Sequence, residues 1–308
     1  MERFDVVIIG GGPAGLTAGI YCGRAKLKAV VFEALSAGGQ VLMAGTIENY
    51  PGFPGGISGP ELIERFKKQL DEIGIPLREF VKVEGVLEKE GYFVVKTTQG
   101  DVEAKCLIIA TGAQPARLGV PGEDKFIGQG VSFCAYCDGF FFRDKKVAVI
   151  GGGDRAVEEA LYLKNMAKEV YLIHRRDRLR AQKILQERLF EAKNVKTIWN
   201  SVVTEIKGDQ SGVKALEIMD LKTGERTLLE IDGVFVAVGQ QPASEIFRDL
   251  VEMDERGFIK TNLKGATSKA GIFAAGDVRE KELRQVSTAV GDGAIAAWAA
   301  VEYLQEET

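Results

Sequence analysis

Two stretches of this chain follow one template. "FDVVIIGGGPAG" (residues 4–15) and "KKVAVIGGGDRA" (145–156) each run from a β-branched strand through glycines into a helix-like segment, "LTAGIYCGRAKL" and "VEEALYLKNMAK". Strand, tight turn and helix in that order open a βαβ unit. Gly10 and Gly151 permit the turn, Gly12 and Gly153 let the backbone approach a pyrophosphate, and Gly15 and Ala156 allow close helix packing. Pro13 and Ala14 start one helix, Asp154 and Arg155 the other, and each helix N-terminus suits an anion. A single such motif is weak, because glycine turns are common after strands. Two in the same frame mark a diverged duplication and predict an α/β fold with two Rossmann-like dinucleotide-binding domains.

The second strand of each unit separates the ligands. Glu33, in "KAVVFEA", and His174, in "EVYLIHRR", both lie 23 residues after the first glycine of their unit. An acid at that position accepts hydrogen bonds from a ribose 2′-hydroxyl and repels a 2′-phosphate, whereas nearby arginines accommodate the phosphate. The first unit therefore suits a dinucleotide lacking the 2′-phosphate. The second, with Arg175, Arg176 and Arg180 in "HRRDRLRA", suits NADPH over NADH.

A third segment completes the first site. "TSKAGIFAAGDV" (267–278) reads as a strand ending at Gly276 and Asp277, followed by a long helix-like run. Asp277 at a strand end can bond a sugar hydroxyl, and the helix can aim its N-terminus at an electron-rich ring; alternatively Asp277 caps a turn. The strand "LIIATGAQP" (107–115), carrying Thr111 and Gly112, closes the first segment, and "VFVAVGQQPAS" (234–244) closes the insert. The expected domains are 1–114 with 245–308, and 115–244 inserted between them.

Composition excludes other classes. Lys+Arg 40 against Asp+Glu 44, net −4, provides no basic field for nucleic acid. "MERFDVVIIGGGPAG" lacks a cleavage signature, and "AIAAWAAV" is far short of the about 18–20 apolar residues that span a bilayer. A cytoplasmic protein with no membrane partner is expected. In a reducing compartment a close CxxC is catalytic or metal-binding, and "CAYCDGFFF" (134–142) holds one. A structural zinc wants four ligands, while the rest of the chain offers only Cys22, Cys106 and one histidine. No metal is expected. Cys22 and Cys106 read as buried small hydrophobes, and "GPELIERFKKQLDEIG" (59–74) as an ordinary amphipathic helix.

Together, "GGGPAGLTAGIY", "GGQ", "ENYPGFP", "ATGAQP", "CAYCDG", "GGGDRAVEEALYL", "HRRDRLRA", "AAGDV" and "RQVSTAVGDG" resemble the low-molecular-weight thioredoxin reductases, flavoprotein disulfide reductases with two dinucleotide-binding domains. The resemblance spans essentially the whole chain. It implies FAD in the discontinuous first domain, with Gly39, Gln40, Asn49, Arg284, Gln285 and Val286 joining that site, and NADPH in the second. It also implies a homodimer, a Cys134–Cys137 redox disulfide and Asp138 as its acid–base group. Two positions depart from the usual pattern: Tyr136 stands where threonine is common, and Val286 where alanine is.

The activity so implied is NADPH-dependent reduction of thioredoxin. Hydride passes from NADPH to FAD, the electron pair then passes to the disulfide, and after a domain rotation the dithiol exchanges with oxidised thioredoxin. A peroxiredoxin or glutaredoxin-like acceptor is the alternative. Phe140, Phe141 and Phe142 either dock the partner or belong to the core.

Overall fold

The computed structural model describes residues 1–44 and 46–306. Among them lie six α-helices: α1 (Pro13–Arg24), α2 (Gly59–Glu72), α3 (Ala135–Asp138), α4 (Asp154–Leu163), α5 (Lys183–Phe190) and α6 (Val286–Glu306). The chain divides into two compact units, Met1–Gln114 with Gln241–Thr308, and Pro115–Gln240. Residues 241–244 go with the first unit because Ala243 and Ser244 are fastened there. The Ala243 N–H donates to the Gly112 carbonyl at 3.0 Å, and the Ser244 hydroxyl to the Gly257 carbonyl at 2.6 Å.

In the first unit Glu2–Ile9 pairs in parallel with Ala29–Phe32 on one side and Val102–Ile109 on the other. Along its other edge Val102–Ile109 serves two neighbours. Its first half pairs antiparallel with Tyr92–Thr97, and its second half pairs in parallel with Ile272–Ala274, from the far end of the chain. The parallel strands are apolar where they pair at the centre, over 6–9, 29–32, 106–109 and 272–274, as a sheet covered on both faces requires. One face packs against α1, α2 and α6 around Ile8, Leu16, Leu62 and Ala296. The opposite face buries Val7, Phe32, Leu107 and Phe247. Small residues let the helices close in: a Cβ on Gly293 of α6 would strike the backbone of Ala14 in α1.

In the second unit five parallel strands run in the order Val131–Ser132, Gly233–Ala237, Lys146–Gly151, Glu169–Ile173, Val195–Ile198. An antiparallel sheet, Ser201–Asp209, Gly212–Asp220 and Arg226–Glu230, is added to them. The duplication holds in register. Ile9 pairs with Phe32 and Ile150 with Ile173, so Glu33 and His174 occupy matching positions beside the two glycine turns.

Candidate active site

Cys134 and Cys137 are joined as a disulfide across α3, with Cα atoms 5.4 Å apart, a usual separation for such a bond. Ser132, buried one residue before Phe133, fixes the entry: its Oγ accepts from the Cys134 N–H at 3.0 Å and donates to the Cys134 carbonyl at 3.2 Å. The Cys137 N–H points at the Cys134 sulfur, 3.1 Å away. Cys134 is buried and Cys137 exposed. Asp138 ends α3, half-buried, its N–H bonded to the Cys134 carbonyl. Tyr136 lies against Tyr162 of α4 with ring centroids 4.4 Å apart, so the departure at 136 is accommodated by packing on the neighbouring helix.

The phenylalanines divide. Phe140 and Phe141 are 67% and 69% exposed, whereas Phe142 is buried edge-on to Phe235 at 5.3 Å. Cys22 and Cys106 are wholly buried, and burial pushes the Cys22 thiol up to about 12.

The first glycine turn is shaped by close backbone approach. Gly10, at φ +110°, leaves no room for a Cβ against the Ala110 carbonyl, and Gly15 none against Gly10. Above Gly12 nothing stands within 4 Å, and no side chain caps α1, where Pro13 takes the first turn. Gly39, at φ +57°, lies next to Gly12. Glu33 spans this turn: one carboxylate oxygen accepts the Gly11 N–H at 2.7 Å, the other the Leu35 N–H at 3.0 Å. Gln40 donates to the Ala113 carbonyl, Thr111 to the Ala243 carbonyl at 2.6 Å, and Asn49 to the Gln285 side chain at 3.1 Å. Val286 is the first residue of α6. The Arg284 guanidinium stacks 4.1 Å from the Phe258 ring centroid, and its Nη1 donates to the Lys281 carbonyl. Asp277 follows Gly276, which takes φ +77°; its Oδ1 is buried without a hydrogen-bond partner, and burial raises the carboxyl above its usual range. The open, uncapped helix start and the orphaned carboxylate oxygen fit the pyrophosphate and a sugar hydroxyl of FAD.

The second turn repeats the first. Gly151 closes against Ala237 and Ala156, while above Gly153 nothing stands within 4 Å and no side chain caps α4. His174 is buried directly on Gly152, and its Nε2 has no partner. Burial, reinforced by Arg180, Arg176 and Arg175, holds its imidazole below the ordinary value, although a backbone bond at Arg178 opposes this. Arg175, Arg176 and Arg180 are exposed, and none of them forms an ion pair among the described residues. That open guanidinium cluster beside an uncapped helix start fits a dinucleotide carrying a 2′-phosphate.

Two expected ligands turn to protein partners through their side chains. Asp154 accepts from the Gln182 N–H at 2.8 Å and from the Gln182 amide at 2.9 Å, tying α4 to the start of α5. Arg155 pairs with buried Glu159 at 3.0 Å and donates to the Phe133 carbonyl, beside Cys134. Burial pushes the Glu159 carboxyl up to about 7 despite that arginine. Glu159 and Ser132 carried no sequence signal, since an acid inside a helix and a serine before a turn look ordinary until their burial and hydrogen bonds are seen. No cluster of His, Cys, Asp and Glu suited to a metal occurs among the described residues, and none of their helices is long and apolar enough to cross a membrane.

Residues 4–293 match the family described as pyridine nucleotide-disulphide oxidoreductase. A Bacillus subtilis protein named thioredoxin reductase is 44% identical, over 98% of this chain and 95% of its own length. Among solved structures, Lactococcus lactis thioredoxin reductase superposes with a TM-score of 0.96 at 44% identity, covering 98% of this chain and 99% of the other. That of T. acidophilum does so at 0.94 and 35% identity, covering all of both chains.

Proposed function

Because the chain belongs to the pyridine nucleotide-disulphide oxidoreductases and, within them, to the thioredoxin reductases, we propose that it uses NADPH and FAD to reduce the disulfide of a thioredoxin. The net reaction consumes NADPH, one proton and a protein disulfide, and yields NADP⁺ and a protein dithiol. The observation that carries this reading is a Cys134–Cys137 disulfide in the same unit as a nucleotide turn flanked by Arg175, Arg176 and Arg180.

The first unit is assigned to FAD, through Gly10, Gly12, Gly15, Glu33, Gly39, Gln40, Asn49, Thr111, Gly112, Asp277 and the Arg284–Val286 stretch. The second takes NADPH at Gly151, Gly153 and Ala156, with Asp154 and Arg155 contributing backbone N–H groups because their side chains are engaged. His174 would pack on the turn, leaving the three arginines for the 2′-phosphate. When bound, FAD supplies the electron pair from NADPH that opens the disulfide. Cys137, exposed while Cys134 is buried, is the sulfur open to that pair.

Breaking the bond leaves two sulfurs in different surroundings. The Cys137 N–H directed at Cys134 Sγ stabilises negative charge there and favours Cys134 as the attacking thiolate. Once a rotation exposes Cys134, buried in this structure, its thiolate would displace one sulfur of the thioredoxin disulfide, and Asp138 would protonate that leaving sulfur. Cys137 would then attack Cys134 in the mixed disulfide, re-forming the original bond and releasing reduced thioredoxin. The proposal includes a rotation of one unit on the other. Only two chain crossings join them, each bonded locally: Thr111 to Ala243 in the first unit, and the Ala116 N–H to the Gly239 carbonyl in the second.

A cytoplasmic homodimer completes the proposal. Cys22 and Cys106, kept out of disulfides, suit a reducing compartment, and Ile295 and Trp298 give α6 an exposed apolar face. Sedimentation tests the dimer. The deciding assay for activity is anaerobic NADPH consumption with and without oxidised thioredoxin from the same source. Turnover only with thioredoxin supports the reading; flavin reduction that then stalls transfers it to a peroxiredoxin or glutaredoxin-like acceptor. Cys134→Ser should still accept hydride into the flavin and lose protein-disulfide reduction, and retained turnover would overturn the assignment.

A further inference from the structure

A buried charge network lies behind the Gly276–Asp277 turn, and its hub is a residue that the site assignments leave out. Asp292, in the second turn of α6, binds three groups at once. Its Oδ2 accepts from the Gly276 N–H at 3.1 Å and from Lys281 Nζ at 2.8 Å, and its Oδ1 accepts from Arg279 Nη1 at 2.9 Å. The side chains of Arg279, Lys281 and Asp292 are 12%, 13% and 15% exposed. At such depth a carboxylate between two cations is held by hydrogen bonds, and removing it strands both charges.

The network faces two ways. Toward α6, Lys281 also donates to Thr288 Oγ1 at 3.2 Å; Thr288 stands one turn before Asp292 on the same helix face and accepts the Gln285 N–H. Toward the turn, Lys281 Nζ lies 3.6 Å from Asp277 Oδ1, the buried oxygen without a hydrogen-bond partner. Arg284 closes the loop by donating to the Lys281 and Arg279 carbonyls. The helix itself is fixed in depth, because Gly293, next to Asp292, packs on the backbone of Ala14 at the start of α1. Asp292 therefore references the Asp277 turn to the same helix start that forms the pyrophosphate cradle.

We propose that Asp292 is the positioning residue of the flavin site: it clamps the Gly276 backbone and Lys281 so that Asp277 meets the sugar-alcohol chain of FAD in one fixed geometry. This rests on the reading of the first unit as the FAD site. Burial raises the Asp277 carboxyl, and Lys281 opposes that rise; a displaced Lys281 would leave Asp277 a poorer acceptor for a sugar hydroxyl.

The test compares Asp292→Asn, Lys281→Met and Asp277→Asn with the unaltered holoenzyme. FAD is removed and titrated back by the quenching of its fluorescence, and the midpoint potential of the bound flavin is measured against reference dyes. Asp292→Asn keeps the shape of the side chain but strands the Arg279 and Lys281 charges, so the far-UV circular dichroism and thermal midpoint of each apoprotein are recorded first, and Lys281→Met, which removes a cation instead, serves as the second variant. Loss of a charged hydrogen bond weakens binding by about tenfold to a hundredfold. Asp292→Asn and Lys281→Met should each weaken FAD by about tenfold or more and shift the flavin potential, with NADPH affinity unchanged. Unaltered FAD affinity and potential in both, with Asp277→Asn impaired, would overturn the positioning role alone. Unaltered behaviour in all three would overturn the FAD reading of this turn as well.

Discussion

The Glu33 carboxylate accepts the Gly11 N–H at 2.7 Å, so the acid at the end of the second strand closes the glycine turn. On the proposed function, a ligand contact and a structural brace reside in one side chain. Glu33→Ala leaves two backbone N–H groups, Gly11 and Leu35, without their acceptor. The Gly11 N–H is partly buried and its loss costs about 1–3 kcal/mol, whereas water replaces the acceptor of the exposed Leu35 N–H. The expected outcome is weaker FAD binding together with a lower thermal midpoint for the apoprotein. A contact to ribose alone would leave the apoprotein midpoint unchanged.

Glu159 gives the second unit a pH signature. Its folded pKa of about 7 stands above the ordinary 4.5, so the folded state holds the proton more tightly than the unfolded chain does. Its contribution to stability is thus fully present below about 4.5 and declines as pH rises to about 7. His174 acts in the opposite sense: its depressed pKa makes stability fall as pH drops below the usual imidazole value of 6.5. Glu159→Gln isolates the first effect. Its unfolding midpoint, followed from pH 5 to pH 8, should lose the decline that the unaltered protein shows, on the order of a few kcal/mol.

The three phenylalanines after the redox pair should separate partner affinity from stability. Phe140→Ala and Phe141→Ala remove exposed rings and should raise the KM for thioredoxin severalfold while leaving the melting temperature within a degree or two. Phe142→Ala empties a buried site against Phe235 and should cost about 3–5 kcal/mol of stability. Equal effects on KM and stability at all three positions would refute the division.

Arg175 and Arg176 should set the choice of nicotinamide nucleotide. Replacing either by alanine removes a charge-assisted contact to the 2′-phosphate and should raise the KM for NADPH by about tenfold. The KM for NADH, which lacks that phosphate, should stay constant. A parallel rise for both nucleotides would mean that the arginines support the fold.

Much of this architecture is legible in the sequence where a physical constraint is local. The glycine turns announce themselves because only small residues fit against Ala110 and Ala237, and Glu33 and His174 follow because strand register fixes their spacing. The redox pair is readable for the same reason, since a disulfide across one short turn needs its cysteines close in sequence. What stays hidden depends on contacts across long separations. Asp292 looks like any acid in a helix until Gly276, Arg279 and Lys281 are brought to it, and Arg155 reads as a phosphate ligand until the Phe133 carbonyl claims its guanidinium. The antiparallel Tyr92–Thr97 and Ser201–Glu230 region is likewise weakly signalled, because half-exposed strands lack the unbroken apolar runs of the parallel sheets.

Ile272–Ala274 joins the sheet beside Leu107, Ile108 and Ile109, although the whole of the second unit is threaded between them. During synthesis on the ribosome, the nascent first unit waits with that edge of its sheet bare while Pro115–Gln240, contiguous in sequence, can fold as soon as it emerges. The sheet of the first unit can therefore be completed only after the second unit has been translated. A chain released early would display an unpaired strand edge, which makes truncated products natural clients for chaperones.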